Sequence, residues 1–356
     1  MRRLVDLHAH SNASDGMLPP RELIALADRK RLAAVALTDH DTVAGLAEAA
    51  DEARAHGDLR FVPGIEVSAR FTGGTMHILG LGFRADAPAL TALIAQLRAA
   101  RDDRNPKIVA RLQALGYPID MDDVLAVAAR GEGGGEGGGE GVPPSRVAGI
   151  LPAPVPWFAA SSAATTFGRE KPIRRERRIA SDSSVVAANS AANHGTLALS
   201  ARTIGRVHIA EALRRKRLVG SIAEAFDRLI GLGRPAYVDK ERLSPAQVVA
   251  VLAESGGAAV LAHPPQLNYG NLAQLERVVR GLVPHGLAAI EAYHTDNSDF
   301  QTREYLRLAK RLGIGVTGGS DFHGDAKPNA RLGRPAVPLS MIEGRLREIL
   351  FPGESA

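Results

Sequence analysis

Short apolar, β-branched runs alternate with stretches of helical periodicity along much of the chain, a rhythm that predicts parallel β/α units. The candidate strands are Leu4 to His8, Ala34 to Thr38, Arg60 to Val67, Met76 to Phe83, Ala258 to Ala262, Ala288 to Tyr293 and Gly315 to Gly319. Between the first two, Pro19-Pro20-Arg21-Glu22 sets proline and an acid in the first turn of a helix, and Leu23, Ile24, Leu26 and Ala27 form its apolar face. A second helix is predicted after Asp41-Thr42, over Val43 to His56. From about Ala85 to Val238 the rhythm gives way to helical patterns, Leu90 to Leu115, Met121 to Ala129, Ile209 to Leu218 and Ile222 to Leu229. The pattern therefore predicts an α/β barrel of about seven strands from residues 1–84 and 239–356, interrupted over 85–238 by a mainly helical insertion able to supply a lid.

Inside that insertion, Gly131 to Gly141 is almost only glycine and glutamate, and a Pro-, Ala- and Ser-rich stretch follows. No periodic apolar face is available there to offset the entropy of ordering, so disorder is expected over 131–203. The net charge of +5 hints at nucleic acid, but the run Arg169 to Arg178 alone carries six positive and two negative charges, so most of the excess is local. Aromatic residues are 4% of the chain, which gives little support to an extended single-strand stacking platform. There are no cysteines among the 356 residues, which excludes disulfides, thiolate zinc, iron–sulfur clusters and cysteine nucleophiles. Any metal must sit on nitrogen and oxygen. No apolar run reaches signal-peptide or membrane-span length, so a cytoplasmic enzyme without a membrane partner is the expectation.

Chemistry-bearing residues recur where the predicted strands end, and parallel barrels build their sites at those carboxyl ends. His8-Ala9-His10 has the i, i+2 spacing that turns both imidazoles to one side of an extended segment, as does Asp321-Phe322-His323. Asp15 lies in a turn-prone stretch, and Thr38-Asp39-His40-Asp41 closes an apolar strand with acid, histidine, acid. Glu66 and His77 interrupt apolar strands, where an unpaired polar group is costly, and His263 ends another. Any one of these is adequately explained as a satisfied core or turn residue. Accidents at so many strand ends are implausible together.

These motifs resemble the PHP (polymerase and histidinol phosphatase) superfamily of metal-dependent phosphoesterases. They are Asp6-Leu7-His8-Ala9-His10-Ser11 with Asp15-Gly16, Thr38-Asp39-His40-Asp41, Gly64-Ile65-Glu66-Val67, His77, Ala262-His263-Pro264 and Ser320-Asp321-Phe322-His323-Gly324. The resemblance implies a distorted (β/α)7, TIM-like barrel and up to three divalent ions. Its ligand sets would be His8, His10, Glu66 and Asp321; Glu66, His77 and His263; and Asp15, His40 and His323. Manganese is the implied metal, with zinc or iron also suited to such ligands. The nucleophile would be metal-bound hydroxide, with Glu291 and His294 in supporting roles.

Within the superfamily, Gly205-Arg206-Val207-His208 resembles a Gly-Arg-Pro-His element of the branch containing nucleoside 3′,5′-bisphosphate phosphatases and 5′–3′ exoribonucleases, valine replacing proline. By that resemblance Arg206 would clamp a phosphate, and His208 would bind it or protonate the leaving oxygen. Arg101-Asp102-Asp103-Arg104-Asn105 resembles an insertion element of the same branch, and Arg101 and Arg104, three apart on a helix, would reach a phosphate together unless they form a solvated face. Gly313 to Gly318 matches a dinucleotide fingerprint but leads into a strand instead of opening a helix, so that reading fails. The expected substrate is a small nucleotide phosphomonoester, with short RNA, histidinol phosphate and a non-catalytic scaffold as the competing readings. Oligomeric state is not encoded in any motif.

Overall fold

The computed structural model describes residues 3–129 and 203–353; the glycine–glutamate tract and the basic run lie outside them. Eight strands form one sheet: β1 (Leu4–Asp6), β2 (Ala34–Leu37), β3 (Arg60–Ala69), β4 (Met76–Leu81), β5 (Ala258–Leu261), β6 (Leu287–His294), β7 (Gly315–Gly319) and β8 (Val337–Pro338). Their spatial order is β7-β6-β5-β4-β3-β2-β1-β8. Neighbours are parallel from β1 to β3 and from β5 to β7. The uniform β/α rhythm expected from the sequence fails at β4, which runs antiparallel to both β3 and β5. Residues 70–75 are too short a link for a parallel crossover, which takes a dozen residues or more, so β3 and β4 form a hairpin.

The two ends of the sheet meet beyond β1 and β7. The Leu7 amide donates to the Gly318 carbonyl at 3.1 Å, Asp321 to His8 at 2.8 Å and His10 to Phe322 at 2.9 Å. The approach depends on Gly319, because a Cβ there would stand 2.3 Å from the Cβ of His8. β8, an eighth strand absent from the sequence reading, pairs antiparallel with the first part of β1. The result is a nearly closed, distorted TIM-like barrel.

Helices α1 (Pro20–Arg29), α2 (Leu46–Arg54), α3 (Pro88–Ala114), α4 (Met121–Ala129), α5 (Arg206–Arg215), α6 (Ile222–Ala225), α7 (Pro245–Glu254), α8 (Leu272–Leu282), α9 (Asp299–Leu312) and α10 (Gly344–Leu350) complete the described chain. The second helix starts at Leu46, later than the expected Val43, with Gly45 as its N-cap. Alternation along the strands separates two cores. Val5, Ala34, Ala36, Val62, Leu79, Val260 and Ala289 pack together with Leu346 and Leu350 of α10, while Val35, Leu37, Ile65 and Ile78 pack against α1, α7, α8 and α9.

Helix α3 links the barrel to a third core. Its Leu90, Leu93 and Leu97 join the core outside the sheet, whereas Ile108, Val109 and Leu112 pack with Val124, Ile209, Leu213 and Ile230. Between those two apolar stretches lie Arg101, Arg104 and Asn105, all buried. The helix is therefore apolar, then polar, then apolar along its buried side.

Candidate metal centre

All nine residues singled out as ligands converge at one end of the barrel. His8 and His10 leave the end of β1, and their Nε2 atoms stand 3.4 and 3.2 Å from Glu66 Oε2 and 3.5 and 3.3 Å from Asp321 Oδ1. Donors about 2.0–2.2 Å from one ion stand roughly 3.0–3.5 Å apart, so this spacing suits a single cation. On the other oxygen of Glu66, Oε1 is 2.7 Å from His77 Nδ1 and 2.9 Å from His263 Nε2. Asp15 gathers His323 Nε2 at 3.3 Å and His40 Nε2 at 3.7 Å, and His40 Nδ1 lies 3.1 Å from Glu66 Oε2. The hairpin explains why His77 takes part. β4 runs backwards, so its first residues lie where the neighbouring parallel strands end.

The donor chemistry fits a divalent cation. His8 Nε2, His10 Nε2, His40 Nδ1 and Glu66 Oε2 are buried with no hydrogen-bond partner among the described residues. Groups of His and carboxylate atoms close enough to share an ion include His8, His10, Glu66 and Asp321; His10, Asp15, His40 and His323; and His40, Glu66 and His77. Burial raises the carboxyl of Glu66, but His40, His77 and His8 outweigh it and hold Glu66 well below the carboxylate range. Asp15 and Asp321 are held down in the same way by surrounding imidazoles. Ionised carboxylates are the form that metal binding requires. Burial pushes His40 down to about 3, whereas at His10 it is outweighed by Asp321 and Glu66, which lift that imidazole to about 10.

A surrounding layer fixes these side chains. Glu291, fully buried on β6, accepts from His8 Nδ1 at 3.0 Å and from the His263 amide at 2.7 Å, so one carboxylate orients an imidazole and positions the backbone of another. Asp39 accepts from the Ser11 amide at 2.8 Å and from the Ser11 and Ser14 hydroxyls at 2.6 Å each, tying down the turn that carries Asp15. Asp6 accepts from the amides of Ser320 and Gly333 at 2.9 and 2.7 Å.

Of the expected phosphate-binding residues, Arg101 reaches Asp41 beside His40, and Arg104 and Arg206 lie close enough to Arg101 for their charges to interact. Arg101 and Arg104 are 9% and 4% exposed, which overturns the solvated-face alternative. Arg101 Nε donates to Asp41 Oδ2 at 2.8 Å, and Arg101 Nη2 and Lys240 Nζ bond the same oxygen. Arg104 donates to Asn105 Oδ1 at 2.8 Å. Burial lowers Arg104 to about 9, aided by the nearby charges of Arg101, Arg206 and Arg242. The Arg206 guanidinium donates to the Ile230 carbonyl at 3.1 Å and sits 5.4 Å from the ring centres of both Phe226 and Tyr237. His208 Nδ1 accepts from the Gly205 amide at 3.1 Å at the start of α5. Sequence reasoning missed Lys240, because Asp239-Lys240-Glu241-Arg242 reads as an ordinary charged loop. Asp41 carried a signal, an acid directly after a strand-end histidine, but nothing tied Arg101 or Lys240 to it.

This combination of barrel and His/carboxylate cluster defines a metal-dependent hydrolase, and a family model of the PHP domain matches residues 6–119. Over those residues the chain is similar to the PHP domain, and it is a phosphoester hydrolase. Among its relatives is the 3′,5′-nucleoside bisphosphate phosphatase of Chromobacterium violaceum, 28% identical over 319 residues, covering 90% of this chain and 87% of that one. The 5′–3′ exoribonuclease Rnm of Escherichia coli is 26% identical over 342 residues, covering 96% and 92%. A structure from Bifidobacterium adolescentis described as a metal-dependent phosphoesterase superposes with a TM-score of 0.70 at 27% identity, covering 99% and 96%. Among the described residues no helix is long and apolar enough to cross a membrane.

Proposed function

We propose that the chain removes the 3′-phosphate from nucleoside 3′,5′-bisphosphates in the cytoplasm, with residues 1–84 and 239–356 as the catalytic barrel and 85–238 as a lid. One observation carries the reading: a buried cationic group adjoins the nine-donor centre, joined to it through Asp41, the residue after His40. A substrate with two phosphates suits such a pair of neighbouring sites, one phosphate reacting and the other held. His8, His10, Glu66 and Asp321, then Glu66, His77 and His263, then Asp15, His40 and His323 would hold the ions. When bound, up to three divalent ions, manganese foremost, supply charge that polarises the phosphate and lowers the pKa of water.

The chain's own groups do the rest. Arg101 and Arg104 hold the non-reacting phosphate, which relieves the mutual repulsion of the buried cations. Arg206, wedged between Phe226 and Tyr237, offers its guanidinium in one orientation, as bidentate phosphate binding favours. His208 accepts at Nδ1, which places the neutral ring's proton on Nε2, the atom that then donates to the leaving oxygen.

The test is a manganese-supplemented panel of adenosine 3′,5′-bisphosphate, 5′-phosphorylated short RNA and histidinol phosphate, with Asp321→Asn as control. Phosphate release from the bisphosphate, lost in the control, is expected. Mononucleotide release from RNA without bisphosphate turnover would instead assign the exoribonuclease activity carried by the Escherichia coli relative's name.

A further inference from the structure

Asp321 divides its two oxygens between different surroundings. Oδ1 faces the metal centre, 3.5 Å from His8 Nε2, 3.3 Å from His10 Nε2 and 3.4 Å from His323 Nδ1. Oδ2 faces away from it and accepts from Lys327 Nζ at 2.7 Å. The same ammonium reaches Asp296 Oδ2 at 3.3 Å. His294 lies beside this pair: its Nδ1 accepts from the Asp296 amide at 3.1 Å, so the neutral ring carries its proton on Nε2, which stands 3.5 Å from Asp321 Oδ2. Asp296 and His294 belong to the end of β6 and the turn after it, Lys327 to the loop after β7, and Asp321 to the barrel seam, where its backbone sits at φ +54°.

We propose that Lys327 is a positioning residue of the metal centre, holding the outer oxygen of Asp321 so that this carboxylate presents one oxygen, Oδ1, to a divalent cation, with Asp296 fixing Lys327. The role rests on Asp321 being a ligand. A carboxylate at the end of a short side chain turns about its Cβ–Cγ bond, and an ion alone accepts one-oxygen or two-oxygen contact. An ammonium on the second oxygen removes that choice. Lys327 also carries a charge that repels cations, but Asp296 balances it, so the pair's net effect on an arriving ion is orientation more than field. Lys327 is suited to this work because its backbone is held as well: its amide donates to Gly324 and its carbonyl accepts from Ala330, at 3.1 and 2.9 Å. With its side chain 29% exposed, it is not part of the folding core.

The experiment titrates manganese into metal-stripped full-length protein by calorimetry, alongside the charge-conserving double variant Asp296→Asn/Lys327→Met, the single variant Lys327→Arg and the ligand variant Asp321→Asn. Circular dichroism of each stripped protein checks folding, and Lys327→Gln replaces the double variant if the latter does not fold. The double variant is expected to weaken manganese binding about 10–100-fold, the usual cost of losing a group that orients a ligand, and Lys327→Arg to stay near wild type. Wild-type affinity in the double variant, with binding lost in Asp321→Asn, overturns the role of Lys327 alone. Wild-type affinity in Asp321→Asn overturns the ligand assignment and this role with it.

Discussion

Asp41→Asn isolates a single charge at the junction of barrel and insertion. Asp41 is 1% exposed with φ at +55°, a left-handed conformation that asparagine also tolerates, so the substitution changes charge with little change of shape. Its Oδ2 receives both Arg101 and Lys240. At an effective dielectric near 20 each contact contributes about 4–5 kcal/mol, comparable to the several kcal/mol that each ion gives up in leaving water. The intact triad thus lies near balance. Without the carboxylate, the Arg101 cation keeps its desolvation cost unpaired and Lys240, already lowered to about 7, gives up its proton, and the expected loss is about 3–5 kcal/mol. Scanning calorimetry of the metal-stripped protein at neutral pH should show a fall of roughly 5–9 °C in Tm. Burial raises the Asp41 carboxyl, but Arg101 and Lys240 outweigh it and hold it below the usual range. Its stabilisation is therefore complete above about pH 4 and fades as pH falls, so the gap between wild type and variant should narrow in acid. Adding Lys240→Met to Asp41→Asn replaces the buried, unpaired amine with an apolar side chain and should recover part of the loss. A fall of less than about 1 kcal/mol, or no recovery in the double variant, would refute the triad as a balanced charge unit.

Gly319→Ala should destabilise the fold by about 1–3 kcal/mol in urea, because its methyl would collide with His8 across the barrel seam; an unchanged midpoint would mean that the seam is loose. Burial, with Arg101 and Arg104, lowers the Lys240 ammonium from about 10.5 to about 7 despite Asp41. Between those values the unfolded chain binds more protons, so this group makes stability rise with pH across the window; urea unfolding at pH 7 and pH 9 should show the rise in wild type and a smaller one in Lys240→Met. Glu66→Gln removes the carboxylate that touches His8, His10, His40, His77 and His263, and should abolish retention of manganese through gel filtration, measured by elemental analysis. Retention at wild-type stoichiometry would exclude Glu66 as a shared ligand.

The residues that converge at the rim were largely legible in the sequence because most of them break a local rule. Glu66 and His77 interrupt apolar strands, and His8 with His10 repeats at the two-residue period of an extended chain. Such signals are local, and the barrel makes them converge by bringing strand ends to one rim. The pairings of the surrounding charges were not legible, because they join positions distant along the chain. Arg101 and Asp41 are separated by 60 positions, Lys240 and Asp41 by 199, and no periodicity relates them. Arg101-Asp102-Asp103-Arg104 has the composition of a solvated helix face, and only the two apolar stretches packed on either side of it bury its arginines.

The reversal at β4 shows how a topological detail can matter more than the repeat from which it departs. Had β4 followed β3 through a helical crossover, it would run parallel, and His77, second in the strand, would lie at the opposite end of the barrel from Glu66. The short link over residues 70–75 turns the strand round, pairing His77 with Ser68 in the register and bringing its Nδ1 to 2.7 Å from Glu66 Oε1. The next strand benefits too. β5 pairs antiparallel with β4, so its C-terminal end lies beside the start of β4, and His263, just past that end, comes 3.2 Å from His77. One hairpin therefore assembles the Glu66, His77 and His263 group, and lengthening it enough to permit a parallel crossover should dismantle that group while leaving the His8, His10 and Asp321 contacts across the β1–β7 seam in place.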